Sequence, residues 1–397
     1  MPRRRAPSTQ LLPSLLLTLL ALWLAGCDLR LTVLAVPPVL PMIHREFGLS
    51  ERAIGALSGL PVLLFGLAAI PGSLLIAKLG ARRAAIAALL LVAAASAARG
   101  IGPSVPMLFA MTGIMSVGVA IMQPAMPTLV ARWFASRPGF ATAVYANGLL
   151  IGEAAPAALT IPFVLPLVGG SWPASFVVWA VPVAATAGLM ALCPDGSTSA
   201  ASASAAAPPP VRWWPDWRRG ETWQLGLMLG GTGGLYFASN AFIPDYLYAI
   251  GRPDLVTAEL GALNLGQLPA SLLLLAMSRR LDGKAAIIGM QIVGLLGLAA
   301  LLTAGPWLSV VGAGLIGFCC AFTLIIALAL PPRLAAAADV HRLSAGMFAI
   351  GYTLSCLVPP VGGAIWDATG HPATAFIAPA GAALIVLAAA LGFHFPP

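Results

Sequence analysis

Long apolar runs separated by short polar breaks dominate the chain. About 20 consecutive apolar residues suffice for a helix to cross the hydrocarbon core of a bilayer. On that scale the pattern predicts twelve spans. Six fall at about 14–43, 53–78, 84–102, 105–131, 140–168 and 173–193. Six more fall at about 223–250, 257–278, 285–304, 307–334, 343–366 and 373–394. Between the sixth and seventh spans runs Gly196-Ser-Thr-Ser-Ala-Ala-Ser-Ala-Ser204, followed closely by Pro208-Pro-Pro210. That composition describes a flexible linker ending in a stiff proline run. The expected organisation is therefore an N-terminal six-helix bundle (1–193), a cytoplasmic low-complexity linker (194–221) and a C-terminal six-helix bundle (222–397).

Composition sharpens the picture. Of the 397 residues, 59% are hydrophobic and 9% charged, and the mean hydropathy is +0.94. Soluble domains carry about 25% charged residues because their surface faces water. An ordinary soluble enzyme and a disordered chain are both excluded, and a polytopic all-α membrane protein is implied. The net charge of +8 does not point to nucleic acid, because no basic cluster sits on a soluble domain. Basic residues instead mark cytoplasmic loops. With the N-terminus inside, the cytoplasmic segments hold Arg3, Arg4, Arg5, Lys78, Arg82, Arg83, Arg132, Arg137, Arg212, Arg218, Arg219, Arg279, Arg280, Lys284, Arg333 and Arg342. The opposite loops hold only Arg45, Arg52 and Arg252. That bias places both termini in the cytoplasm. The preference for Arg, with Lys78 and Lys284 the only lysines, suits a GC-rich bacterial genome.

The N-terminus admits two readings. Leu24-Ala25-Gly26-Cys27 looks like a lipoprotein processing site, but the apolar run continues past it to Ile43, broken only by Asp28 and Arg30. A cleaved signal would be followed by polar sequence, so an uncleaved first helix is expected. The five cysteines, none in a C-x-x-C pair, read as buried thiols and not as a metal or disulfide framework.

The halves match each other. Ala146-Asn-Gly148 with Pro156 corresponds to Ala349-Ile-Gly351 with Pro359, all 203 positions apart. Gly80-Ala-Arg82-Arg83 before Ala84 corresponds to Gly283-Lys284 before Ala285, and Pro61 to Pro269. Two such repeats ordinarily enclose a site at their interface near the midplane, with access alternating by rocking.

Twelve spans with basic loops after the second and eighth resemble the major facilitator superfamily. Ser73-Leu-Leu-Ile-Ala-Lys78-Leu-Gly80-Ala-Arg82-Arg83 is similar to that family's cytoplasmic signature, without its usual acidic residue. Within the superfamily the chain resembles the cyanate and 2-nitroimidazole transporter branch. Asp28-Leu-Arg30 with Pro38-Val-Leu-Pro41 resembles its first helix, Gly59 through Gly66 its second, and Tyr236 through Pro244 its seventh. Ser344-Ala-Gly346-Met347, Gly351-Tyr352 and Pro359 through Gly370 resemble its eleventh. The resemblance implies two six-helix repeats around a central cavity. It also implies a secondary transporter of the inner membrane for a small polar or anionic solute. Export of a neutral or drug-like compound, or a receptor without flux, stand as alternatives.

Ionisable residues inside spans are functional candidates by default, since each costs about 2.5–3.5 kcal/mol at the bilayer centre on insertion scales. Asp28, Arg30, Arg99 and Glu153 qualify. Arg30 offers a permanently charged planar fork suited to a small anion, or else an ion pair with Asp28 or Glu153. Asp28 and Arg30, about 200° apart on a helix, face different neighbours. Glu153, directly after Gly148-x-x-x-Gly152, is a candidate proton carrier, as is Asp28; the alternative is a fixed counter-ion. Arg99, near the end of span three, is expected to snorkel or to pair structurally. Gln123, Tyr145, Asn147, Asn240, Asn264, Gln267 and Tyr352 are candidate substrate contacts, each also explicable as a packing hydrogen bond. Arg82, Arg83, Arg99 and Lys284 are candidate structural or gating residues. The expected partners are a small solute, protons and the bilayer, with no nucleic acid and no obligate protein partner. No P-loop, His cluster or G-x-S-x-G appears in the sequence, so neither a cofactor nor enzymatic chemistry is expected.

Overall fold

A computed structural model of the chain describes residues 11–49, 51–194, 212–277, 283–303 and 305–395. The arginines at 3–5, 279 and 280 and the linker up to 211 lie outside the described residues. Every regular element among the described residues is helical.

Among the described residues, twelve helices, one of them in two pieces, follow the expected spans. They are α1 (Leu11–Leu31), α2 (Glu51–Leu79), α3 (Ala81–Ala98), α4 (Val105–Trp133), α5 (Pro138–Leu159) and α6 (Trp172–Leu192). After the linker come α7 (Gly220–Ala249), α8 in two pieces (Val256–Leu265 and Gln267–Met277), α9 (Lys284–Thr303), α10 (Pro306–Ala329), α11 (Val340–Thr369) and α12 (Ile377–Gly392). Ten of them are long and apolar enough to cross a membrane. Large apolar side chains such as Leu16, Leu67, Leu296 and Leu384 face outward, as expected where the solvent is lipid and not water.

Four expected spans are interrupted, each at a proline; in the tenth the helix ends at Ala329 and resumes at Pro331. The first was expected over 14–43, but its helix ends at Leu31, and the chain turns through Pro37–Val39 into a short helix, Leu40–Phe47. Pro37 and Pro38 lack the N–H groups needed to continue the ladder. Arg30 therefore sits in the last turn of α1 and not at mid-span. The fifth span passes into a π-helical turn, Thr160–Val164, that contains Pro162. The eighth breaks at Gly266, where Pro269 cannot donate to the Leu265 carbonyl and Gly266 lies against the Gly314 carbonyl of α10.

The same helix pairs meet in each set of six. α1 packs on α5 as α7 packs on α11; α3 packs on α4 as α9 packs on α10; α2 packs on α4 as α8 packs on α10. Small residues make the closest of these approaches. A Cβ on Gly26, Gly148 or Gly152 would overlap backbone of the facing helix in the α1–α5 pair. In the α7–α11 pair, Gly226, Gly230 and Gly351 play the same part against Ile350, Leu354 and Leu229. Such small-residue contacts are the usual glue between helices that gain nothing from hydrophobicity in lipid.

Between the two sets, α2 and α4 meet α11, and α5 meets α8 and α10. On the face where α6 ends and α7 begins, called here the linker face, residues 212–217 close the seam. Ser73 of α2 donates to the Trp213 carbonyl at 2.7 Å, and Arg342 of α11 donates to the Trp214 carbonyl at 2.9 Å.

Candidate functional site

The cavity lies on the other side of the seam. Its volume is about 590 Å³. It is lined from the halves of α2, α5, α7 and α8 remote from the linker, including Phe65, Glu153, Tyr236, Asn240 and Asn264, with Arg30 at its foot. A smaller chamber of about 50 Å³ continues inward from it. That chamber shares Arg30, Glu153, Tyr236 and Gln267 and adds Thr232, Cys320, Tyr352 and Ser355. It has room for a few waters, and so for a triatomic ion.

Arg30 organises the foot. Its Nε donates to Glu153 Oε1 at 3.1 Å and its Nη2 to Tyr352 Oη at 3.1 Å. The Phe65 ring lies 5.3 Å from the guanidinium carbon, a cation–π contact. The side chains of Arg30 and Glu153 are 10% and 16% exposed, and both line the cavity. One planar cation thus joins α1, α2, α5 and α11. Gln123 of α4 donates to the same Tyr352 hydroxyl at 2.7 Å, which leaves that oxygen two donors and its own proton free to face a ligand.

A second polar chain runs up the opposite wall. Gln267 donates to Tyr236 Oη at 3.2 Å, Tyr236 donates to Asn264 Oδ1 at 2.6 Å, and Asn264 donates to Asn240 Oδ1 at 3.1 Å. Asn240 in turn donates to the Tyr236 carbonyl at 3.0 Å. Thr232, Tyr236 and Asn240 recur every four residues along α7, so a helix puts them in one stripe.

Of the residues marked in the sequence, Arg30, Glu153, Asn240, Asn264, Gln267 and Tyr352 line this space. Gln123 stands behind Tyr352. Asn147 lies elsewhere: it accepts from Trp23 Nε1 at 3.0 Å and donates to Ser271 Oγ at 3.1 Å, bridging α1, α5 and α8. Tyr145 is buried where Gly26 crosses its backbone, its hydroxyl without a partner among the described residues. Asp28 is buried and turned to Thr186 of α6, away from the cavity. Tyr236 and Phe65 did not stand out individually. For Tyr236 the four-residue polar stripe on α7 was the available signal; Phe65 had none, because an aromatic beside a cation looks like any core ring in sequence.

Arg99 does not snorkel. It is fully buried, donates to the Thr32 carbonyl at 2.9 Å and to Ser96 Oγ at 3.0 Å, and lies over the Phe176 ring at 4.5 Å. Carbonyl, hydroxyl and ring together hold the cation at the α1–α3–α6 junction. Arg82 and Lys284 occupy matching places. Arg82, at the start of α3, donates to the Ala191 carbonyl at 3.1 Å and to the Cys193 carbonyl at the end of α6. Lys284, at the start of α9, donates to the Leu391 carbonyl at the end of α12. Each cation neutralises carbonyls that a helix C-terminus leaves unpaired. Gly80, at φ 81°, makes the turn into α3 that places Arg82, while Arg83 points outward, exposed. Arg82→Ala and Lys284→Ala should each cost about 0.5–1.5 kcal/mol of stability, read as a lowered thermal midpoint of the purified protein, with ligand affinity unchanged. Loss of transport at unchanged stability would instead make these residues gates.

The comparisons fit this geometry. Residues 18–263 match the Major Facilitator Superfamily model. The chain belongs to the major facilitator superfamily. It is 30% identical over 361 residues to the cyanate transport protein CynX of Escherichia coli, covering 89% of this chain and 91% of that one. It is 28% identical over 351 residues to the 2-nitroimidazole transporter of the same organism, covering 86% of each. Among solved structures, the facilitator-superfamily transporter FucP in its outward conformation aligns with a TM-score of 0.73 at 16% identity, over 95% of this chain and 99% of that one. The proton:xylose symporter XylE aligns with a TM-score of 0.70 at 12% identity, over 96% and 95%. The chain is accordingly a multi-pass membrane transporter and not an enzyme.

Proposed function

We propose that this facilitator carries a small planar polar or anionic solute, of the cyanate kind, together with a proton across the bacterial inner membrane. The observation that carries the reading is the Arg30–Glu153 pair at the foot of the cavity. A permanent cation there is the natural seat for an anion, and it is already occupied by an internal carboxylate. An entering anion that takes Arg30 releases Glu153, and the released carboxylate takes up a proton instead of remaining an unpaired buried charge. The site then holds one cation, one anion and a neutral acid, so its net charge is zero both before and after loading. Names of relatives support a small solute, since cyanate is a linear triatomic ion and a nitroimidazole a small flat ring.

The bias of Lys and Arg puts the linker face in the cytoplasm. The cavity would then open outward, and the bundles 1–193 and 222–397 would rock about the Arg30 site to reopen it inward. Tyr352, Gln267 and Asn240 would complete the solute contacts from the second bundle, with Gln123 orienting Tyr352. Tyr145 and Asn147 would support the helices between which the site lies. Asp28 remains the second candidate for the proton, reached only if α1 and α6 separate.

Charge balance supplies the test. Uptake of labelled cyanate into proteoliposomes should rise with an inward proton gradient and be indifferent to membrane potential, because anion and proton cross together. In Glu153→Gln, whose amide oxygen still accepts from Arg30, exchange of internal for external solute should persist while the response to the proton gradient disappears. Uptake driven by potential alone would refute the scheme. One observation favours a second reading. The outer cavity, at about 590 Å³, is wide and mainly apolar, within the range of sites for drug-sized ligands. It would suit export of a neutral compound, and proton-driven efflux of a nitroimidazole with no cyanate flux would establish that.

A further inference from the structure

A groove of about 530 Å³ opens sideways between α2 and α11, toward the surface that faces lipid. Leu67 and Leu357 on its rims are 62% and 56% exposed. Its wall runs along α11 from Ala349 to Leu357, about 12 Å by the rise of a helix. That length compares with the roughly 15 Å of half a hydrocarbon core. The groove thus runs along the middle stretch of α11 and α2, with one end toward the linker face.

Its linker-face end is built differently. Trp217 and Trp223 close it, their rings 6.1 Å apart, with Trp223 Nε1 donating to the Trp217 carbonyl at 2.9 Å. Tryptophans in such places sit at the headgroup level of a bilayer. Beside them stands Arg218, exposed. Its neighbours are accounted for: Arg219 pairs with Glu221 at 3.5 Å, and Asp216 accepts the backbone N–H of Arg218 at 3.1 Å. Lys78, also exposed, lies three turns beyond Leu67 on the same face of α2. An apolar slot open to lipid, an aromatic collar at its linker-face end and two exposed cations, Arg218 and Lys78, on that side of the protein match the parts of one kind of molecule.

We propose that this groove holds an acyl chain of an anionic phospholipid, with the headgroup phosphate on Arg218 and Lys78. The bound chain would lie directly behind the site. Gly66 at the groove floor backs onto Tyr352 Cβ, and Phe65 and Tyr352 meet edge to face at 5.3 Å. The same two side chains hold Arg30. A lipid wedged between α2 and α11 would therefore favour one side of the rocking motion over the other.

Native mass spectrometry of the purified full chain tests it, with phosphatidylglycerol and phosphatidylcholine of identical chains as probes. Wild type should retain the anionic lipid over the zwitterionic one by about fivefold for each cation engaged. Arg218→Gln combined with Lys78→Gln should erase that preference while both lipids still bind. Thr353→Trp, which fills the slot, should reduce retention of both. Size-exclusion profiles and thermal midpoints matching wild type would show that the variants are folded. Equal retention of the two lipids by wild type, a preference surviving the double substitution, or retention unaffected by Thr353→Trp would each overturn the proposal. Retention does not depend on which solute is carried, so a failed transport assay leaves this result standing.

Discussion

Arg30→Gln should reach the membrane at near wild-type levels and carry no solute. The expected loss in flux is roughly a hundredfold or more, because removing the charged partner of a buried, hydrogen-bonded anion costs about 2–5 kcal/mol. Glutamine keeps a donor for Tyr352 and enough length to fill the space, so the fold is not asked to close a hole. What it lacks is the charge, and with it the competition between Glu153 and an anion for one cation. Arg30→Lys tests the geometry separately. An ammonium restores the charge but not the fork that now reaches Glu153 and Tyr352 at once, each at 3.1 Å, so it should recover only part of the flux. Solute exchange measured in proteoliposomes, beside surface expression of each variant, checks the result. Full flux in Arg30→Gln would reduce the Arg30–Glu153 pair to a structural tie and move the solute to the Tyr236–Asn264–Asn240 wall.

The fold was legible in the sequence because the bilayer imposes it. Span count follows from the length of apolar runs, and the repeat from Gly148 and Gly351 standing in matching places. The breaks at Leu31 and Gly266 were less legible. Prolines 37, 38 and 269 were visible, but proline is common inside membrane helices and only the neighbours decide whether one bends a helix or ends it; α2 passes through Pro61 and Pro71 without a break. At the site, Arg30 and Glu153 stood out by charge, and the structure brings them together from residues 123 apart. The polar set was harder to sort. Asn147 and Asn240 look alike in sequence, each an amide inside an apolar run. One ties α1 to α8 and the other faces the cavity, because the outcome depends on which stripe of the helix meets a neighbour. For Arg99 the choice between snorkelling and a structural tie was open for a related reason. Its distance from the span end suited snorkelling, but the carbonyl of Thr32 comes from the turn after α1 and the ring of Phe176 from α6, and no spacing within α3 announces them.

Gly152→Leu is expected to abolish the folded protein, whereas Gly188→Leu is expected to be silent. A Cβ at Gly152 would overlap the carbonyl group and Cα of Cys27, and one at Gly148 would overlap the Trp23 carbonyl. The obstacles are backbone atoms of α1, which cannot swing aside as a side chain can. Accommodating leucine requires α1 and α5 to move apart, and that breaks the Trp23–Asn147 bond and lengthens the Arg30–Glu153 pair, both of which span the same interface. Overpacking alone costs about 1–3 kcal/mol. With the lost interhelical bonds the total should exceed about 3 kcal/mol, a large share of the stability a protein has to lose. Gly188 of α6 meets nothing within 4 Å, so leucine there extends into lipid and should change stability by no more than about 0.5 kcal/mol. Size-exclusion profiles of the detergent-solubilised variants separate the cases. Labelling of Cys27, buried at this interface, should be slow in wild type and Gly188→Leu and fast in whatever Gly152→Leu protein survives. A monodisperse Gly152→Leu protein with Cys27 still protected would mean that α1 and α5 are not held at this distance. The Arg30–Glu153 geometry, which depends on that spacing, would then need to be redrawn.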